Sequence, residues 1–242
     1  MDWQADGFIL SVKSHGETSA IVNVFTREQG VHAGLVRGGR SRRMRPVLQV
    51  GNKVNVRWNA RLAQHLGSFV VEPLDAHAAL IMENRLSLSA LNACAAVTIA
   101  AIPEREAHER LYDVLDIFLS HLGDQEIWPA LYVRYEIALL HALGYGLDLA
   151  SCAATGTIDN LTHVSPRSGR AVCADAAQPY LDRMLRLPAF LKENTGLGDT
   201  DLADGLALSG HFIEKRVFHG FNKAVPESRY RLIQDLKAAK LV

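Results

Sequence analysis

At Pro73-Leu74-Asp75 the apolar pattern of this 242-residue chain changes its period, and that change limits the folds open to it. Before it come short β-branched or aromatic runs at 7–13, 19–26, 30–36, 53–61 and 67–71, separated by turn residues such as His15-Gly16-Glu17 and Glu28-Gln29-Gly30. After it, apolar residues recur every three or four positions, which is the spacing of one helix face. A chain divided in this way predicts an α+β protein, with a small β-barrel over 1–75 and a helical domain over 76–242. Five short strands in about 70 residues suit the five-stranded, Greek-key oligonucleotide-binding (OB) barrel; pattern alone also permits an SH3-like barrel.

The helical part reads as Leu80, Leu86, Leu88, Leu91 and Ala95, then Leu111, Val114, Leu115, Phe118 and Leu122, then Leu131, Tyr135, Ala138, Leu139 and Ala142. Pro103 and Gly123-Asp124 separate these helices. Pro129 suits the first turn of the third, where a missing N–H costs little, and Gly144-Tyr145-Gly146 suits its C-cap. Residues 151–174, rich in Gly, Ser, Thr and Asn, predict an irregular loop insert. Helices are expected again over 176–184, 201–220 and 228–240. There is no internal repeat and no low-complexity segment.

Composition narrows the class. Hydrophobic residues make up 48% of the chain and charged ones 21%, far from the signature of disorder. Cys94, Cys152 and Cys173 are too few and too scattered for a secreted disulfide framework, so a reducing compartment is expected. The N-terminus carries Asp2 and Asp6 where a signal peptide needs basic residues. The most apolar stretch, 86–102, is interrupted by Ser87, Ser89, Asn92 and Thr98. It falls short of the roughly 20 apolar residues of a membrane span. A cytoplasmic protein with no membrane partner is the expectation.

Lys+Arg and Asp+Glu each number 26, and a net charge of zero argues at first against a nucleic-acid binder. Its distribution argues the other way. Residues 1–75 hold ten basic and six acidic side chains, a net +4, so the remainder carries −4. No acidic residue lies between Glu28 and Glu72. Within that window, Arg37, Arg40, Arg42, Arg43 and Arg45 fall in nine residues on a glycine-containing segment, read as a flexible loop. The guanidinium fork pairs bidentately with phosphate oxygens, so such a loop suits a phosphate backbone. In the next strand the odd positions Lys53, Asn55, Arg57, Asn59 and Arg61 are polar or basic, and the even ones Val54, Val56, Trp58 and Ala60 apolar. Alternation puts the first set on one face, continuing the basic surface, and Trp58 in the core. With no aromatic residue on that face, phosphate contact should dominate over base stacking, giving sequence-independent and salt-dependent binding. An arginine-rich loop that is merely solvated remains the alternative.

Three segments carry a resemblance. Gly7-Phe8-Ile9-Leu10, Gly34-Leu35-Val36-Arg37-Gly38-Gly39-Arg40 with its trailing arginines, and Arg134-Tyr135-Glu136-Ile137-Ala138-Leu139-Leu140 running into Leu143-Gly144-Tyr145-Gly146-Leu147-Asp148 together resemble the RecO family of bacterial recombination and repair proteins. Cys152-Ala153-Ala154-Thr155-Gly156 ends the most specific part, and the resemblance extends along the whole chain. It implies an OB barrel followed by a helical domain in a non-enzymatic mediator that binds single- and double-stranded DNA and anneals complementary strands. It also implies partners: RecR and often RecF, in loading RecA onto DNA covered by single-strand-binding protein. No cofactor and no small-molecule substrate are implied.

Zinc-bearing members of the family place two CxxC pairs in the insert. Here Thr155 and Ala176 stand where the second cysteine of each pair would be, so two of four donors are missing and a degenerate insert without metal is expected. Cys152, Cys173 and Cys94 then read as small buried hydrophobes. In some relatives the helix that begins near Arg134 helps receive the acidic, hydrophobic C-terminal tail of single-strand-binding protein. An arginine beside an apolar groove suits a terminal carboxylate; the alternative is a surface arginine paired with Glu136 or a nearby turn. Lys223, Ser228 and Arg229 match a basic stretch of the family loosely, and Ser228 suits a helix cap equally well.

No enzyme motif is present. The segment Gly34 to Ser41 lacks the P-loop lysine, Gly144-x-Gly146 follows a helix where a dinucleotide fingerprint follows a strand, and His211 and His219 have no zincin-type acidic partner. Asp199, Asp201 and Asp204 suit a helix N-terminus. Two readings stand: a DNA-binding recombination mediator, and a protein-interaction scaffold whose basic barrel meets an acidic partner.

Overall fold

The computed structural model describes residues 1–192, 197–220 and 222–242. Five strands, β1 (Asp2–His15), β2 (Ser19–Thr26), β3 (Gly30–Val36), β4 (Lys53–Asn59) and β5 (Ser68–Asp75), close into a barrel in the order β1-β2-β3-β5-β4. β3 and β5 meet in parallel at Leu35 and Ser68, and every other pair is antiparallel. This is the OB topology and decides against the SH3-like alternative.

A strand of 14 residues can close a barrel only if it bends. The ladder of β1 slips between Ile9 and Ser11, so its first half pairs with β4 and its second with β2. Gly7 lies where the two pairings overlap, opposite both Thr26 and Val54. A Cβ there would come 2.5 Å from Val24 Cγ1, so only glycine fits.

The barrel core contains Ile9, Val22, Val24, Val36, Val54, Val56, Trp58 and Phe69. Trp58 is 2% exposed, stacks on Trp3 with 5.8 Å between ring centroids, and donates its indole N–H to Leu66 O at 3.0 Å. Its place in the core follows from the alternation of β4.

After β5 come α1 (His77–Leu80), α2 (Arg85–Ala101), α3 (Glu109–Ser120) and α4 (Trp128–Ala142). Asn84 caps α2 by accepting from Ser87 N at 3.1 Å. Pro129 lies in the first turn of α4, and Gly144 follows its end with φ +80°. The insert is more ordered than its composition suggests. β6 (Leu161–Val164), β7 (Ala171–Cys173) and β8 (Leu185–Arg186) form a three-stranded antiparallel sheet in the order β7-β6-β8. The helix expected over 176–184 is replaced by one turn, α5 (Ala174–Ala177), and a 3-10 segment (Gln178–Arg183) that includes Pro179 and breaks helical geometry at Tyr180. A second 3-10 turn (Ala189–Leu191) precedes α6 (Asp201–Phe212), which continues as a π-helical segment (Ile213–Phe218), and α7 is Glu227–Ala238. Asp201 and Asp204 fall in the first turn of α6, and Asp201 Oδ2 accepts from Gly198 N at 2.8 Å.

The compact units do not divide where the period changes. One comprises Met1–Gln125 with Pro226–Leu232, so α2 and α3 belong with the barrel; the other comprises Glu126–Val225 with Ile233–Val242. No helix among the described residues is long and apolar enough to cross a membrane.

Candidate nucleic-acid interface

Strand pairing sorts the basic residues of the barrel between its two ends. His15 pairs with Ser19, Ala20 with Val36, Leu35 with Ser68, and Asn59 with Ser68. The β1–β2 turn, the chain leaving β3 at Arg37 and the β4–β5 turn therefore lie at one end. Phe8 pairs with Lys53, Gly7 with Thr26, and Lys53 with Asp75, which places the β2–β3 turn and the start of β4 at the other.

The first end is basic. Arg37, Arg42, Arg43 and Arg45 are exposed, and their guanidinium groups have no protein partner among the described residues. Arg40 differs: its Nη1 donates to Gly16 O and Glu17 O, both at 2.9 Å, and its main-chain N–H to Thr18 O at 3.0 Å. It ties the arginine segment to the β1–β2 turn.

That segment is not the flexible loop expected from its glycines. Met44 N and Arg45 N both donate to Ser41 O at 3.1 Å and Leu48 N to Met44 O at 2.8 Å, a run of tight turns. Met44, Val47 and Leu48 pack on the barrel core, leaving Arg42, Arg43 and Arg45 outward. Asn52, 3% exposed, locks the far end: its Nδ2 donates to Pro46 O and Val47 O, and its Oδ1 accepts from Ala78 N. A rigid mount of this kind presents arginines with little ordering entropy left to lose on binding.

The strand face is less uniform than its own sequence. Arg57 is exposed in the middle of β4 and Arg61 is exposed beyond its end, in the β4–β5 turn, since the strand stops at Asn59. Asn55 Nδ2 donates to Asp6 Oδ1 and its Oδ1 accepts from Gln4 Nε2, both at 2.6 Å. Glu72 faces Asn55 from β5. Lys53 is drawn out of the basic surface altogether. Its Nζ lies 3.1 Å from Asp116 Oδ2 of α3 and 5.2 Å from the centroid of the Phe8 ring. Arg27 behaves likewise at the same end, pairing with Glu109 at 2.5 Å and Asp113 at 3.0 Å. The acid-free window of the sequence is therefore bordered in space by carboxylates from β1, β5 and α3.

Two contributors were not singled out by the sequence. Lys13 is exposed on β1 just before the β1–β2 turn and has no partner among the described residues; its side in the strand ladder was the available signal. Arg105, in the link between α2 and α3, has φ +67° and donates from its guanidinium to Ala63 O and, at 3.1 Å, to His65 O. Its main-chain N–H bonds Val31 O at 2.8 Å. Arg105 thus clamps the β4–β5 turn that carries Arg61, a contact across 40 positions or more that no local pattern signals.

In the second unit, Arg134 is half-buried on α4 and donates from Nη2 to Phe190 O at 2.6 Å. Glu136 is a buried side chain, 1% exposed, accepting from Tyr132 Oη at 2.9 Å and Ser209 Oγ at 2.5 Å. Glu136 is thus a buried side chain and not one at the surface. In the insert, Cys152 and Cys173 are buried with their Sγ atoms 3.4 Å apart. Among the described residues no three His, Cys, Asp or Glu side chains are grouped to hold a metal ion.

Two family models match the chain: one described as Recombination protein O N terminal over residues 1–76, and one as Recombination protein O C terminal over residues 82–224. The chain is 46% identical over 240 residues to the DNA repair protein RecO of Caulobacter vibrioides (strain NA1000 / CB15N), spanning 99% of each chain. It is 47% identical over 235 residues to that of Methylobacterium nodulans, spanning 95% of each, and 45% identical over 235 residues to that of Roseobacter denitrificans, spanning 97% of this chain and 98% of the relative.

Proposed function

The chain belongs to the RecO family of DNA repair proteins, and we propose that it serves repair and recombination as a mediator that binds single- and double-stranded DNA through the basic end of its barrel. The observation that carries this reading is a run of exposed guanidinium groups, unpartnered among the described residues, on the segment that leaves the basic end of the barrel. Arg37, Arg42, Arg43 and Arg45 stand on a rigid segment, and Arg61 on a turn held by Arg105. Arg40 fastens the arginine segment to the β1–β2 turn, and Lys13 adds a further cation with no partner among the described residues. Arg57 extends the surface along β4; Lys53, already paired, contributes least.

Contacts of this kind read the phosphate backbone and not base edges, so one surface accepts single strands, duplexes and the junction between them. Neutralising the backbone charge of two complementary strands lowers their repulsion, which supports an annealing role. Membership of the family supports work with RecR, and often with RecF, in loading RecA onto DNA covered by single-strand-binding protein. Arg134 is the residue of α4 offered to the carboxylate of that protein's tail.

A salt titration of binding to fluorescent single-stranded DNA tests the proposal. A linear fall of log affinity with log salt is expected. Absence of binding at low salt would remove it in favour of an acidic protein partner for the same surface.

A further inference from the structure

We propose that Cys152 and Cys173 are a redox-sensitive dithiol that closes to an intramolecular disulfide under peroxide. The two sulfurs lie 3.4 Å apart across 21 positions of sequence, and each cysteine is held in place by main-chain hydrogen bonds. Cys152 N donates to Thr157 O at 2.7 Å and Ala153 N to Ala171 O at 2.8 Å, while Cys173 is the last residue of β7 and pairs with Leu161 of β6. Side-chain rotation is then the main movement needed to bring the sulfurs to bonding distance. Four thiolates would justify this arrangement by a metal; with Thr155 and Ala176 in place of two of them, the paired sulfurs need another account.

The two sulfurs are not equivalent. The main-chain N–H of Cys173 donates to Cys152 Sγ at 3.3 Å, and this bond, with help from the Thr155 hydroxyl, brings the Cys152 thiol down to about 6. Thr155 Oγ1 also lies 3.7 Å from Cys173 Sγ. Cys152 is therefore the attacking thiolate and Cys173 the resolving thiol. The thiolate attacks one oxygen of hydrogen peroxide, the O–O bond breaks, and Cys152 becomes a sulfenic acid as hydroxide leaves and takes up a proton. Cys173 Sγ then attacks Cys152 Sγ, the S–S bond forms, the S–O bond breaks, and the departing hydroxyl takes the Cys173 proton as water. Two thiols are oxidised by two electrons in all, and one peroxide is reduced to two waters. Both sulfurs are buried, so a small uncharged oxidant is the fitting reagent. The disulfide would tie the 152 turn to β7 and stiffen the insert, whether or not the barrel binds DNA.

The test treats the reduced, folded protein with hydrogen peroxide, quenches it, counts free thiols after denaturation in an alkylating reagent, and maps the linkage by peptide mass. Reactive thiols should fall from three to one, with Cys94 in α2 the survivor. The mass should fall by about 2 Da, and dithiothreitol should restore both values. Three surviving thiols, sulfinic acid at Cys152 with Cys173 intact, a linkage to Cys94, or closure only after unfolding would each overturn the proposal. A Cys152→Ser protein that still loses two thiols on the same treatment would do so as well.

Discussion

Lys53 Nζ sits 3.1 Å from Asp116 Oδ2, and this pair removes from the basic surface a lysine that the alternation of its own strand assigns to it. Strand parity settles which side of the barrel a residue faces; the neighbour that meets it there is settled by a helix more than sixty positions away. The distinction divides the arginines that should contact DNA from the lysine that should not.

Removing Arg42, Arg43 and Arg45 together, each to alanine, should lower the magnitude of the log–log salt slope for single-stranded DNA by about 2, at about 0.7 per phosphate contact. Lys53→Ala should leave the slope unchanged. Its cost is the ion pair with Asp116, about 1 kcal/mol or less at this half-exposed site. A Lys53→Ala slope reduced as much as that of the arginine variants would place the DNA on the other end of the barrel.

Arg105→Ala should loosen the β4–β5 turn without unfolding the barrel, because the bonds it removes end on Ala63 O and His65 O. Amide exchange over 62–66 should accelerate by about tenfold, while the β1, β2 and β3 amides remain protected. Arg105→Lys, which lacks the fork that reaches both carbonyls, should recover only part of the protection. Unchanged exchange over 62–66 would show that the turn holds itself.

Glu136→Ala should be among the most destabilising substitutions in the second unit. It strips the acceptor from the buried Tyr132 and Ser209 hydroxyls at a cost of about 3 kcal/mol. Glu136→Gln keeps an acceptor in place and should cost less. Thermal melts of the two variants, compared with the parent protein, check the order.

His32 is 4% exposed among Trp3, Trp58 and Phe69, with its Nδ1 bonded to Ala33 O at 3.1 Å, and burial lowers its pKa from the ordinary 6.5. The unfolded chain therefore takes up a proton at a pH where the folded barrel does not. Stability contributed by the neutral ring is present above pH 6.5 and declines as pH falls below it toward the lowered folded value. His77 and His163 shift the same way, so His32→Phe should flatten this slope in part. An identical slope from denaturant midpoints at pH 5.5 to 7.5 would discharge His32 from the effect.

Much of this was written in local pattern. The parity of 53–59 places Val54, Val56 and Trp58 inside and Arg57 outside, because alternation is a property of the strand itself. The bounds of α4 follow from Pro129 and Gly144 for the same reason. Order in the arginine segment was not legible. Its turns depend on Met44, Val47 and Leu48 finding the barrel core and on Asn52 reaching back to Pro46 and forward to Ala78, and none of these contacts has a period. The sheet that joins the insert to residues 185–186 escaped for a related reason, being three short strands of four, three and two residues that hold only as a set.

The family, the five-stranded barrel and the separation of charge along the chain were determined by sequence alone, since motif, alternation and composition are properties of neighbouring residues. Tertiary structure decided which charges remain free. Asp6, Glu72 and Asp116 approach β4 from three different elements and quench part of its face, while Arg37, Arg42, Arg43 and Arg45 meet no carboxylate among the described residues. Electrostatic energy depends on distance in space and not on separation in sequence, so a window free of acids becomes a basic surface only where no carboxylate from another element pairs with its side chains.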